Sequence, residues 1–183
     1  MNPTAHEILS NPEPRGHIVY PYTDETQVAE AVCLFASAGL RKGEAVILVM
    51  AAAHRDPIRE RLAEDGFDLA ALEASGQLVC ENARDLLGTF MFDGIIDELR
   101  FKTKVGAIIE KAKAGMLRRR VRVFGEMVDL IWTTSPAATK RLEELWNDVI
   151  DRHGVPLLCA YSLAGSRPDA LPRELLACHS STI

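Results

Sequence analysis

The chain has 183 residues and a mass of 20.2 kDa, and its 48% hydrophobic content with a mean hydropathy of zero is enough for one domain to bury a core. A formal net charge of −5 argues against a protein that neutralises nucleic-acid phosphates, a task that needs a basic surface. No apolar run approaches the roughly 18 residues of a membrane span, and the opening MNPTAHEILSNPEPRG lacks the basic and apolar regions of a signal peptide, so the expected location is the cytoplasm.

Pro3, Pro12, Pro14 and Gly16 punctuate the opening, which predicts an irregular arm over 1–16 and a single domain over 17–183. HIVYPY then reads as a short strand. Thr23 or Asp24 can cap the next helix, whose apolar positions Val28, Ala31, Val32 and Phe35 have helical spacing and which Gly39 is expected to end. AVILVM, Ala45 to Met50, has no polar residue, as expected of a strand covered on both faces of a parallel sheet.

Asp56 and Pro57 predict the start of a helix running through Ile58 and Leu62 to Gly66. A short helix near Leu69–Ala74 and the strand QLVCEN follow. Arg84–Phe92 and Ile95–Ala114 are expected to be helical, with a break near Gly88 or Gly94. RVRVFGEMV reads as another interior strand, Pro136 to Arg152 as a helix with Leu142, Leu145, Trp146 and Val149 on one face, and VPLLCAYSL as a further strand. Strands alternating with helices at this rhythm predict an α/β fold: a mostly parallel central sheet between two layers of helices.

In open α/β sheets ligands gather at the carboxyl ends of strands, which here draws attention to His54, Glu81, Glu126 and Tyr161. A phosphate-binding loop needs glycines, a lysine and a Ser or Thr. After AVILVM the chain instead reads AAAHRDPIRERL, which disfavours Walker-type ATP hydrolysis. Two roles fit Glu126, a carboxylate placed directly after an apolar strand: a ligand contact, or a structural acceptor bonded to a nearby loop or paired with an arginine of the Arg118–Arg122 run. That run is itself expected to be a solvated strand entrance.

Cys33, Cys80, Cys159 and Cys178 lack CxxC spacing and are read as reduced thiols. His153, Cys159, Cys178 and His179 have ligand chemistry without paired close spacings, so neither a metal nor another cofactor is expected. No GxSxG elbow marks a nucleophile.

Several separated motifs, HIVYPYTD, AGLRKGEAVILVMAAAHRDPI, ASGQLVCENA, RVFGEMVDLIW, LEELWNDV, LLCAYSL and LLACHS, resemble the MEDS family, sensory regions of methanogen and methylotroph regulators. The resemblance implies a RecA/KaiC-like fold that has lost its phosphate loop. It also implies a bacterial regulatory domain, not an enzyme, that binds a small organic molecule. Because such domains are often fused to a kinase or a DNA-binding module, signalling through a separate kinase or transcription regulator is expected here. Positions matching the family's recurrent polar pattern are His17, Tyr22, His54, Glu126, Glu143, Tyr161 and His179. The chain departs from that pattern at Pro21 and in IWTTSPAA. Two other readings compete: a weak nucleotide-binding ATPase using Glu126, and a ligand-free interaction module, for which a homo-oligomer is one form.

Overall fold

A computed structural model describes residues 3–113, 120–164 and 171–183. In chain order the elements are α1 (Pro3–Ser10), β1 (His17–Tyr22), α2 (Glu25–Arg41), β2 (Ala45–Met50), α3 (Ala52–Glu64), α4 (Leu69–Ala74), β3 (Leu78–Asn82) and α5 (Ala83–Gly88). They continue with β4 (Met91–Phe92), β5 (Ile95–Ile96), α6 (Glu98–Lys113), β6 (Val121–Gly125), α7 (Pro136–His153), β7 (Leu157–Ser162), α8 (Arg173–Leu176) and β8 (Ser181–Thr182).

The main sheet has the order β3-β2-β6-β7-β1-β8, and every pairing in it is parallel. Period-two alternation sends successive side chains of a strand to opposite faces, and β2 shows this cleanly. Val46, Leu48 and Met50 join the core beneath α1 to α4, while Ala45, Ile47 and Val49 join the core beneath α5 to α8. All six β2 residues are buried because both faces are covered. The result is the expected three-layer α/β fold.

Local signals explain most boundaries. Asp24 caps α2 by accepting from the Thr26 N–H, and Pro136 opens α7 while Gly154, at φ +67°, closes it. Pro21 also finds a place in β1. The carbonyls of His17 and Val19 face β8, accepting from Ser180 and Ile183. Pro21, two residues further on the same side, lies beyond the last β8 pair, Val19 with Thr182, so its missing N–H leaves no ladder bond unmade.

Five expectations need correction. Residues 3–10 form a helix, not an irregular arm, because Ala5 and Leu9 bury one face of it against the core. Helix α2 passes through Gly39 to Arg41. Gly39 is there for space: a Cβ would stand 2.5 Å from Arg122 Nε. Gly39→Ala should therefore destabilise the protein by about 1–3 kcal/mol, read from the shift in its urea midpoint. Helix α3 starts at Ala52, so Pro57 lies inside it on an exposed face, where water can meet the carbonyl left without a partner.

The fourth correction concerns Met91–Ile96, which is an antiparallel hairpin in place of helix. Asp93 and Gly94 have φ of +50° and +78°, the paired positive values of a type I′ turn, for which Asp-Gly is a strong signal. Helix α6 accordingly starts at Glu98; Ala114, its expected end, lies outside the described residues. Finally, the Arg118–Arg122 run is not simply solvated. Arg118 and Arg119 lie outside the described residues, and Arg122 is 2% exposed. Its Nε donates to Glu44 Oε2 at 2.6 Å, its Nη1 to Phe35 O at 2.8 Å and Leu9 O at 3.4 Å.

Candidate functional site

The seven residues of the recurrent polar pattern assemble into two separate buried clusters, while Glu81, also singled out at a strand end, lies in β3. Tyr22, His54 and Glu126 meet at the carboxyl edge of the sheet, beyond β1, β2 and β6. His17, Glu143, Tyr161 and His179 meet between the sheet and α7.

At the carboxyl edge a single residue, Ala51, joins β2 to α3. A helix start in this position offers N–H groups and a positive dipole end to an anion. Here the anion is the protein's own: Glu126 Oε2 accepts from the Ala51 N–H at 2.6 Å. Its other oxygen, Oε1, lies 2.5 Å from His54 Nδ1. The second ring nitrogen of His54 bonds to the Glu25 carboxylate. Both partners of His54 are acceptors, so the ring carries both protons. The Glu126 hydrogen bond, working against burial and helped by Glu25, raises the His54 pKa to about 9.

Tyr22 packs edge-on against His54 with ring centroids 6.1 Å apart. Burial, reinforced by Asp129, Glu126 and Glu25, pushes its hydroxyl pKa well above the ordinary value. Asp129 accepts from the Ser162 N–H at 2.7 Å and is itself shifted upward by burial. Glu25 and Asp129 were not singled out in the sequence. Both have a signal in hindsight, since each is a carboxylate within a few residues of a strand end. Of the alternatives for Glu126, the bond to a nearby loop is seen: it takes the Ala51 amide and His54, while Arg122, the buried arginine of the run, pairs with Glu44.

The second cluster is closed to solvent. Glu143 is 0% exposed, and His17 Nε2 and His179 Nε2 approach its two oxygens at 3.2 and 3.3 Å. The Tyr161 hydroxyl donates to Glu143 Oε1. Burial alone would raise the Glu143 pKa, but His17 and His179 outweigh it and hold the carboxyl well below its usual range. Cys159 Sγ lies 3.4 Å from His17 Nε2, and His17 Nδ1 lies 2.9 Å from Asn147 Oδ1. That order imitates a Cys-His-Asn nucleophile set. Burial and the Glu143 charge push the Cys159 thiol pKa far up, the opposite of what an activated thiolate needs.

Two surface clefts, of about 510 and 410 Å³, lie elsewhere: one beside α1 and β8, the other along α6 and α7. Neither is lined by any of the seven candidates. Among the described residues, no helix is long and apolar enough to cross a membrane.

An all-parallel main sheet between helix layers defines a three-layer α/β protein, its carboxyl edge closed here by a histidine between carboxylates. In keeping with this, a KaiC-like protein from the hyperthermophilic archaeon Pyrococcus horikoshii OT3 is similar in structure, with a TM-score of 0.62. That likeness covers 93% of this chain and 70% of the other at 16% sequence identity, and it is a likeness of fold. No curated protein matches the sequence. The chain belongs to the MEDS family: the model of the methanogen/methylotroph, DcmR sensory domain matches residues 16–180.

Proposed function

We propose that this chain is a non-catalytic sensory domain that binds a small organic molecule at the carboxyl edge and passes the bound state to a separate signalling protein, a kinase or a transcription regulator. One observation carries the reading: the Glu126 carboxylate occupies the α3 N-terminus, where a nucleotide phosphate would otherwise be received. A phosphate there would meet a negative charge, with the Ala51 amide already taken. His54 supports the same reading. Glu126 and the Tyr22 ring hold it in place, while the Glu25 carboxylate that covers its outer nitrogen is 69% exposed on the side chain. A ligand with an acceptor oxygen or halogen displaces Glu25, takes the His54 N–H, and frees the first turn of α2. The displaced turn is the conformational signal, since a ligand shifts a two-state equilibrium by its differential affinity.

Thermal unfolding of the chain with Mg-ATP and with a panel of one-carbon and small oxygenated or halogenated compounds tests this, because a ligand of the folded state raises apparent stability. The expected result is a saturable shift with an organic compound, absent with Mg-ATP and abolished in His54→Phe. A saturable Mg-ATP shift overturns the reading and restores the nucleotide alternative. No shift with any compound in the panel favours the ligand-free interaction module.

A further inference from the structure

Around Glu143, four different donor atoms converge on one point. His17, Glu143, Cys159 and His179 each offer one ligand atom, and these atoms all lie within 4.8 Å of one another. They come from the start of β1, from α7, from β7 and from the segment ahead of β8. A tetrahedral zinc ion with bonds of about 2.0–2.3 Å has ligand-to-ligand edges of roughly 3.3–3.7 Å. Of the six edges, the three among His17, Glu143 and Cys159 match this: 3.2 Å for His17 Nε2 to Glu143 Oε2, 3.4 Å for His17 Nε2 to Cys159 Sγ, and 3.7 Å for Cys159 Sγ to Glu143 Oε2; the three to His179 lie within 4.8 Å.

The outer contacts orient both imidazoles. His17 Nδ1 faces Asn147 Oδ1 at 2.9 Å and Cys178 O at 3.1 Å, and Asn147 Nδ2 donates to that same carbonyl, which turns its oxygen toward His17. His179 Nδ1 faces Leu175 O at 2.8 Å. Acceptors on both Nδ1 atoms place a proton there and aim each Nε2 inward, the arrangement that metal-binding histidines use. Tyr161 steadies the far oxygen of Glu143. His179 Nε2 is buried and points into the cluster, where it lies 3.3 Å from Glu143 Oε1 without making a well-directed hydrogen bond.

We infer that His17, Glu143, Cys159 and His179 form a closed tetrahedral site for a divalent transition metal of zinc's preferences. One thiolate and one carboxylate neutralise a 2+ ion, so the buried site carries no net charge when filled. The mix of sulfur, nitrogen and oxygen suits zinc better than magnesium or calcium, which prefer oxygen alone. Four protein ligands leave no open position for chemistry, so the ion fastens the segment ahead of β8 to the β1, β7 and α7 core. This inference does not depend on the proposed sensing role.

The chelator-stripped 183-residue chain, titrated with Co²⁺, should develop the intense visible bands of tetrahedral cobalt together with a near-ultraviolet thiolate-to-cobalt band. Added Zn²⁺ should erase both. Cys159→Ser should lose the near-ultraviolet band, and His179→Ala should weaken Co²⁺ binding at least ~10-fold, since removing even an outer partner of a ligand costs about that much. The wild-type spectrum tests the site even where a variant fails to fold. Only the weak spectrum of aqueous cobalt at saturating Co²⁺, or a Cys159→Ser spectrum identical to that of wild type, overturns the inference.

Discussion

Arg122→Met should lower the unfolding free energy by about 3–5 kcal/mol, the usual cost of leaving one member of a buried ion pair alone. Arg122 is 2% exposed and Glu44 9%, so losing the guanidinium strands a nearly buried carboxylate. The same loss takes a charged donor from the carbonyls of Phe35 and Leu9, and removes a cation stacked 5.0 Å over the Phe35 ring. Because Leu9 O belongs to α1, protease cleavage within 3–10 should quicken before the rest of the fold opens. Adding Glu44→Gln should recover part of the loss, since it removes the stranded charge. Urea unfolding measures both variants, and an Arg122→Met protein within ~1 kcal/mol of wild type would show that the pair is not holding α1, α2 and β6 together.

His54 makes the second large effect, and its sign follows from the raised pKa. The folded value of about 9 stands above the ordinary 6.5, so the folded state holds its proton more tightly than the unfolded chain does. The resulting stabilisation is fully present below pH 6.5 and is lost as the pH rises through about 9. The expected loss is about 2 kcal/mol, less than the full shift would give because Glu25 is solvated. Glu126→Gln should flatten this dependence while leaving the fold intact at pH 6. The amide oxygen still accepts from the Ala51 N–H, and its nitrogen can donate to a neutral His54. Unfolding midpoints across pH 6 to 10 in the two proteins measure the difference. Equal slopes would mean that Glu126 does not set the charge on His54. Severe unfolding of the variant at pH 6 would mean that the carboxylate is chiefly structural.

Much of the fold was legible because its signals are local. AVILVM reads as a strand covered on both faces, and the structure buries all six residues. HIVYPY, the Asp24 cap and Pro136 mark element ends through backbone chemistry that depends on near neighbours. The missed hairpin was also local. Asp93-Gly94 carries a turn signal, but the flanking Phe and Ile residues match helical spacing as well, and two-residue strands are too short to show their own period. Gly39 misled for the opposite reason. Glycine near a helix end ordinarily means a cap, and nothing in its neighbourhood announces that Arg122 will press against it.

The candidate residues show the same division. His54 and Glu126 were accessible to sequence reasoning because Glu126 directly follows one apolar strand and His54 comes four residues after another, and the sheet rule places such residues at one edge. That they touch, and that Glu126 fills the helix start, depended on β2 and β6 lying side by side in register. The Glu143 cluster was visible only as scattered polar positions; His17 and Cys159 are 142 residues apart, and Cys159 lies 16 residues from Glu143. Spacing along the chain argued against a metal there, since paired ligands in one loop are what sequence can recognise. The sequence by itself determined the alternation of strands and helices, the two-faced core strand and the absence of a glycine phosphate loop, because periodicity and loop composition are properties of short segments. Strand order, the buried Arg122–Glu44 pair and the meeting of His17, Glu143, Cys159 and His179 were decided only by tertiary packing, because each needs groups from distant segments to share a space that excludes water.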